Sequence, residues 1–194
     1  MLHYNVYQTM TKSYSLMWYS LYFLGTDASI EPTPLMLFES SLSCSSPAYL
    51  DDHRVFGSVV YPASAFFEMA MVVARFIFGQ DEVALTNVSI GRALLLSEEP
   101  VTVQMIATEN GDRFDFEICS RSNENQRDEW VQHSTGILER RLPSPAAAII
   151  IDNELTNYTQ PIDIDELSSR FEARGLEYFP RFKAIEAIYK NSDS

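Results

Sequence analysis

A chain of 194 residues, 46% of them hydrophobic, holds enough apolar material for one domain with a sizeable core and too much for a disordered segment. Its formal charge of -13, from 14 Lys and Arg against 27 Asp and Glu, excludes a surface built for nucleic acid, which needs a clustered positive field. The two cysteines, Cys44 and Cys119, lie far apart without His or Cys neighbours at ligand spacing, so neither a disulfide framework nor a zinc site is expected and a reducing, cytoplasmic setting is.

The chain opens with an aromatic run, Leu16 to Leu24, which is too short for the roughly 20 residues that a membrane span requires. With Lys12 as its basic residue and no clear small-x-small cleavage site around Asp27-Ala28-Ser29, it does not read as a signal peptide either. Residues 1–34 are therefore taken as an N-terminal extension. After Pro32 and Pro34, Leu35 to Glu39 reads as a strand that leads into a polar turn from Ser40 to Pro47.

Next comes Asp51-Asp52-His53-Arg54-Val55-Phe56-Gly57, followed by a helix from Pro62 to Phe78. Pro suits the first helical position, and no Gly or Pro interrupts the run before Gly79. Only Ser64, Glu68 and Arg75 relieve its apolar side chains, so a curved sheet wrapped around the helix on most sides is expected. His53 is the side chain best suited to exchange a proton near neutral pH. Gly57 permits close approach of backbone and ligand, and the helix start offers N–H groups and a positive dipole end to a polarised carbonyl. The stretch reads either as an acid/base site or, more plainly, as a loop histidine behind two solvated aspartates.

From Val83 to Thr135 the pattern is that of strands. Val101 to Met105 alternates apolar with polar residues, Asn110-Gly111 is a hairpin signal, and Phe114 to Ile118 alternates again beyond it. Arg121 to Glu129 reads as a loop and Trp130 to Glu139 as the last strand of the set. His133, placed on one strand face with Val131 and Ile137, reads as a structural histidine packed into the sheet. Glu68 reads as a helix carboxylate reaching solvent. Residues 141–160, which open on Pro143-Ser144-Pro145 and three alanines, read as a linker. Asp163 to Arg174 forms a short amphipathic helix stopped by Gly175, and Leu176 begins another strand.

The spacing His53-x-x-x-Gly57-x-x-x-x-Pro62 resembles the signature of the dehydratase domains of modular polyketide synthases, and Tyr49 to His53 and Ala63 to Ala70 look like its usual surroundings. Trp130-x-x-His133-x-x-Gly136 is similar to the strand that closes the family's first hotdog, and Gly175 to Phe182 resembles its Tyr-Gly-Pro-x-Phe segment. Two positions depart from the pattern: Phe179 stands where Gly is usual and Lys183 where Gln is common.

The resemblance implies an α+β double-hotdog fold, each half a curved antiparallel sheet around one long central helix. In that frame residues 35–140 are the N-terminal hotdog, 141–160 the linker and 161–194 the start of an incomplete second hotdog. Tyr178 and Phe182 are then expected to lack the strands and helix that would bury them, with rapid proteolysis beyond about Arg141.

The resemblance further implies dehydration of a 3-hydroxyacyl thioester, with His53 as general base and Gly57, Pro62 and Tyr178 binding substrate. The family's catalytic aspartate, which lies on the second hotdog's helix well past the Tyr-Gly-Pro segment, has no counterpart in these 194 residues. No metal or directly bound cofactor is implied. The substrate would arrive on the phosphopantetheine of an acyl carrier protein, within a synthase multienzyme and with homodimer contacts. The alternative is a non-catalytic hotdog module that binds acyl chains or serves in dimer contacts.

Overall fold

The structure, a computed structural model, describes residues 3–4, 18–22, 35–79, 83–122, 129–140 and 158–191. In chain order, β1 (His3–Tyr4), β2 (Trp18–Tyr22), β3 (Leu35–Leu42), β4 (His53–Val55) and β5 (Ser58–Val60) precede the helix α1 (Ala63–Phe78). Then follow β6 (Val83–Ile90), β7 (Leu95–Leu96), β8 (Val101–Asn110), β9 (Arg113–Ser122) and β10 (Val131–Arg140). The last part comprises β11 (Tyr158–Pro161), α2 (Ile164–Glu172), β12 (Leu176–Tyr178) and β13 (Tyr189–Asn191). The linker expected over 141–160 lies outside the described residues up to position 157, as does most of the 1–34 extension.

Seven strands form one sheet in the order β1-β2-β3-β8-β9-β10-β6, antiparallel throughout. Its long arms arise from period-two patterning: Phe38, Ser40 and Leu42 on β3, Val103, Met105 and Ala107 on β8, and Phe114, Phe116 and Ile118 on β9 are all buried. The strand β3 continues to Leu42, so the polar turn expected from Ser40 begins three residues late; Ser40 and Leu42 face inward with Phe38. At the expected hairpin, Asn110 pairs with Arg113 across Gly111-Asp112, with Gly111 at φ 70.

Against this sheet lies α1, through Phe66, Met69, Ala70, Val73 and Ala74. Pro62 is the residue before the helix, with ψ 144, rather than its first residue. The expected cover on most sides of α1 is present: of its 16 residues only Ala63, Ser64, Phe67, Glu68 and Arg75 are exposed, and the rest are buried or half-buried. Among the described residues no helix is long and apolar enough to cross a membrane.

His133 is buried in the core, at 3% exposure, but not by simple alternation. A bulge between Gln132 and Ser134 turns it toward α1, where its ring stacks at 6.1 Å on Phe66, while Ile137 pairs with Asp115 on the other face. The Nδ1–H donates to the Arg92 carbonyl at 3.1 Å, so Nε2 accepts from the Ser120 hydroxyl at 2.7 Å. Burial pushes this imidazole below its ordinary value; the Arg92 carbonyl opposes that and the Arg92 charge adds to it. A group whose folded value is lowered binds protons more readily when unfolded. Stability should therefore be complete above about pH 6.5 and decline as acid is added below it. Thermal melts between about pH 7 and pH 5.5 should show this decline, and His133→Gln should flatten it; an equal slope in the variant would assign it to other groups.

Candidate active site

His53 sits where a short 3-10 turn, Ala48–Asp52, hands over to β4. The hairpin β4–β5 is closed by two residues, Phe56 at φ 48 and Gly57 at φ 75, flanked by the pair Val55 and Ser58. Two successive positive φ values define a turn that matches strand twist, and Gly57 is there to adopt one of them. Gly57 thus marks the exposed tip of the hairpin, with His53 at the other end. Arg54 staples the turn by donating to the Gly57 carbonyl at 2.9 Å, and it also pairs with the Asp51 carboxylate.

A second, four-stranded sheet in the order β12-β4-β5-β7 carries the site. Strand β12 runs antiparallel to β4 and pairs Leu176 with Val55, Glu177 with Arg54 and Tyr178 with His53. Further bonds fasten it. The Phe56 N–H donates to the Gly175 carbonyl at 2.7 Å, and the Gly57 N–H to Glu177 Oε1 at 3.0 Å. The Phe179 N–H donates to the Asp52 carbonyl at 3.0 Å, and the Arg181 N–H to Asp52 Oδ2 at 3.1 Å.

These contacts correct the expectation that Tyr178 and Phe182 would lack partners. β4 would otherwise be an edge strand with free N–H and C=O groups, and β12 satisfies them. Both aromatic residues are half-buried against the His53 hairpin.

The His53 ring is held by three contacts. It stacks on Tyr178, centroids 5.3 Å apart and planes 23° from parallel, and it meets Phe182 at 5.1 Å and 51°. Its Nδ1 lies 2.8 Å from the Val60 carbonyl oxygen. A carbonyl accepts and cannot donate, so the proton of the neutral ring is on Nδ1 and the basic lone pair is on Nε2. A histidine with one nitrogen engaged by a carbonyl and the other kept as an acceptor has the arrangement of a general base.

Pro62 is buried two residues past Val60, at the junction between the hairpin and α1. Tyr61 beside it is buried edge-on to Phe66 at 4.8 Å. Burial in the first place, with Tyr49 and Glu68 adding, holds its phenol well above the ordinary value, so it remains neutral.

Beyond the two rings that hold His53, a cavity of about 130 Å³ is lined by Ile164, Leu167 and Phe171 of α2 together with Leu176, Tyr178 and Phe182. The helix that forms its wall starts on an N-cap: Asp163 accepts from the Asp165 and Glu166 N–H groups, the first of them at 2.9 Å. The two departures from the family pattern are both accommodated. Phe179 has φ -92 and ψ 179, extended backbone open to any residue, and Lys183 pairs with Glu172 at 3.7 Å while lining the cavity.

Of the residues expected at the site, the structure brings His53 and Tyr178 into contact, sets Pro62 behind them and leaves Gly57 at the turn. Sequence reasoning missed the Val60 carbonyl, the Phe182 ring on His53 and the part played by Asp52. A backbone carbonyl carries no sequence signal. The spacing of Tyr178 and Phe182 was visible, but not that both rings close on His53. Among the described residues no group of His, Cys, Asp and Glu is arranged to hold a metal ion.

This hairpin, helix and wrapped sheet are a hotdog dehydratase arrangement. A sequence profile for the polyketide synthase dehydratase domain matches residues 23–121, just over half of the chain, and the chain belongs to that family. It is similar to the pikromycin polyketide synthase component PikAII of Streptomyces venezuelae, 28% identical over 174 residues, covering 88% of this chain and 5% of that protein. Among solved structures it is similar to the dehydratase domain from the CurK module of curacin polyketide synthase, 29% identical with a TM-score of 0.76. That match covers 86% of this chain and 59% of the other. Two CurK dehydratase variants match about as well, at 29% and 30% identity with TM-scores of 0.75 and 0.74; each covers 86% or more of this chain and under 60% of its own. One has a histidine replaced by phenylalanine and the other an aspartate replaced by asparagine, and both are described as inactive. The chain thus spans a small fraction of its curated relatives and less than two thirds of the solved domains.

Proposed function

We propose that this chain contributes the basic half of a dehydratase acting on 3-hydroxyacyl thioesters, with His53 as the general base. Residues 35–140 form its N-terminal hotdog and residues 161–194 the start of the second. The observation that carries the reading is the fixed tautomer of His53: Nδ1–H on the Val60 carbonyl, Nε2 basic, and the ring held by Tyr178 and Phe182.

In this reaction Nε2 takes the proton from C2 of the acyl chain, which the thioester carbonyl acidifies. The C–H electron pair becomes the C2–C3 double bond as the C3 hydroxyl leaves, protonated by an acid, as water. Tyr178 contacts the acyl chain, Pro62 fixes the junction behind the base, and Gly57 acts through the turn that sets the hairpin. The substrate is carried on the phosphopantetheine of an acyl carrier protein within the multienzyme, and the working unit makes homodimer contacts.

The acid in this reading is an aspartate on the helix of the second hotdog. The inactive histidine and aspartate variants of the CurK dehydratase support a pair of this kind. The neighbours of His53 do not supply the acid: Asp51 is paired with Arg54, and Asp52 is engaged by residue 181. The test is to compare the 194-residue chain with a protein extended through the aspartate helix, using a 3-hydroxyacyl carrier thioester and following the enoyl product. Turnover is expected from the longer protein and little from the shorter; equal turnover by both would reject the assignment of the acid.

A further inference from the structure

We propose that Asp52 is a positioning residue for His53, clasping residues 179–181 so that Tyr178 and Phe182 are held against the imidazole. The inference rests on the reading of His53 as the base.

Asp52 does two things at once. Its carbonyl accepts the Phe179 N–H at 3.0 Å, and its carboxylate accepts the Arg181 N–H at 3.1 Å, with the Arg181 guanidinium 3.6 Å away. The same guanidinium donates to the Ala48 carbonyl at 3.1 Å, at the start of the turn that delivers His53. The Asp52 side chain is 15% exposed against 51% for Asp51, so it is not the solvated carboxylate that its neighbour is.

The geometry explains why such a clasp is needed. The ladder between β12 and β4 ends at the pair of Tyr178 with His53, and the chain then turns through Pro180–Phe182. Phe182 lies four residues beyond the last ladder pair and still meets the His53 ring at 5.1 Å. Something must fold residues 179–182 back over the histidine, and the two acceptors of Asp52 fall on the two N–H groups of that turn that bracket Pro180. A carboxylate accepting a backbone N–H is among the stronger hydrogen bonds, and it is placed one residue from the side chain it serves. By contrast, the ion pair with the exposed Arg181 side chain contributes little.

The acceptor oxygen, not the charge, is therefore the essential part. Asp52→Asn should retain both acceptors, whereas Asp52→Ala keeps the backbone carbonyl on the Phe179 N–H and loses the side-chain acceptor that holds the Arg181 N–H. The test uses the 194-residue chain and the nuclear magnetic resonance signals of the His53 ring protons, which neighbouring aromatic faces displace upfield. In Asp52→Ala these signals should move downfield toward those of a free imidazole, while the His133 signals stay fixed and report an intact core. Asp52→Asn and Arg181→Ala should leave both sets in place. Unmoved His53 signals in a folded Asp52→Ala protein would overturn the proposal.

Should Asp52→Ala fail to fold, amide exchange in the unaltered chain decides instead. The Phe179 and Arg181 amides should exchange at least about tenfold more slowly than open-chain amides, and exchange at the open-chain rate would overturn the clasp. These readouts do not depend on turnover. A clasp that holds in a protein without dehydratase activity would reject the function and keep the geometry; loss of the clasp in an active protein would do the reverse.

Discussion

Replacing His53 by alanine in a dehydratase that extends through the aspartate helix is expected to lower turnover of a 3-hydroxyacyl carrier thioester by about 10² to 10⁴. The loss follows from the fixed tautomer. With Nδ1–H on the Val60 carbonyl, Nε2 is the site that can take the C2 proton, and alanine leaves nothing in its place. The fold should survive, because His53 lies outside the buried core and the β4 ladder is made by backbone groups. Enoyl product formation measured beside a melting curve separates the two effects. Undiminished turnover in a folded His53→Ala protein would show that another group removes the proton.

The second large effect concerns the helix. Phe66→Ala is expected to destabilise the domain by about 3–5 kcal/mol, because it empties a fully buried aromatic site between Tyr61 and the His133 ring. The next residue is the control. Phe67 is 42% exposed, and its loss should cost far less, about 1 kcal/mol or under. Urea unfolding of the two variants measures both. Similar losses would mean that the outer face of α1 is as closely packed as the inner one, contrary to the burial pattern.

Much of this fold was legible because local pattern and tertiary role coincide. Alternation from Val101 to Met105 announced a half-buried strand, the uninterrupted run from Pro62 to Phe78 announced the helix, and Asn110-Gly111 announced the hairpin. The histidine of the site was legible through its spacing to Gly57 and Pro62. The rest was not, for two reasons. Pairings such as Tyr178 with His53 join segments whose separation leaves no periodic trace, so neither the covering of Tyr178 nor the clasp of Asp52 could be read from the chain. Bulges also break the counting rule: alternation set His133 beside Ile137, and one inserted residue put them on opposite faces.

The pairing of β12 with β4 also imposes an order in time. Asp52 and Arg181 are 129 residues apart in sequence. At ribosomal rates of about 5–20 residues per second, His53 leaves the exit tunnel on the order of ten seconds before its partner does. Among the described residues the large sheet and α1 are complete at Arg140, so the core can close in that interval while β4 presents an unpaired edge. With the core closed at Arg140, joining the late segment at Leu176 closes the loop between them, which adds an entropic term of about 3 kcal/mol that the ladder and the aromatic contacts must offset. The nascent domain is therefore folded before it is competent, and the histidine acquires its aromatic walls only when the chain returns to it.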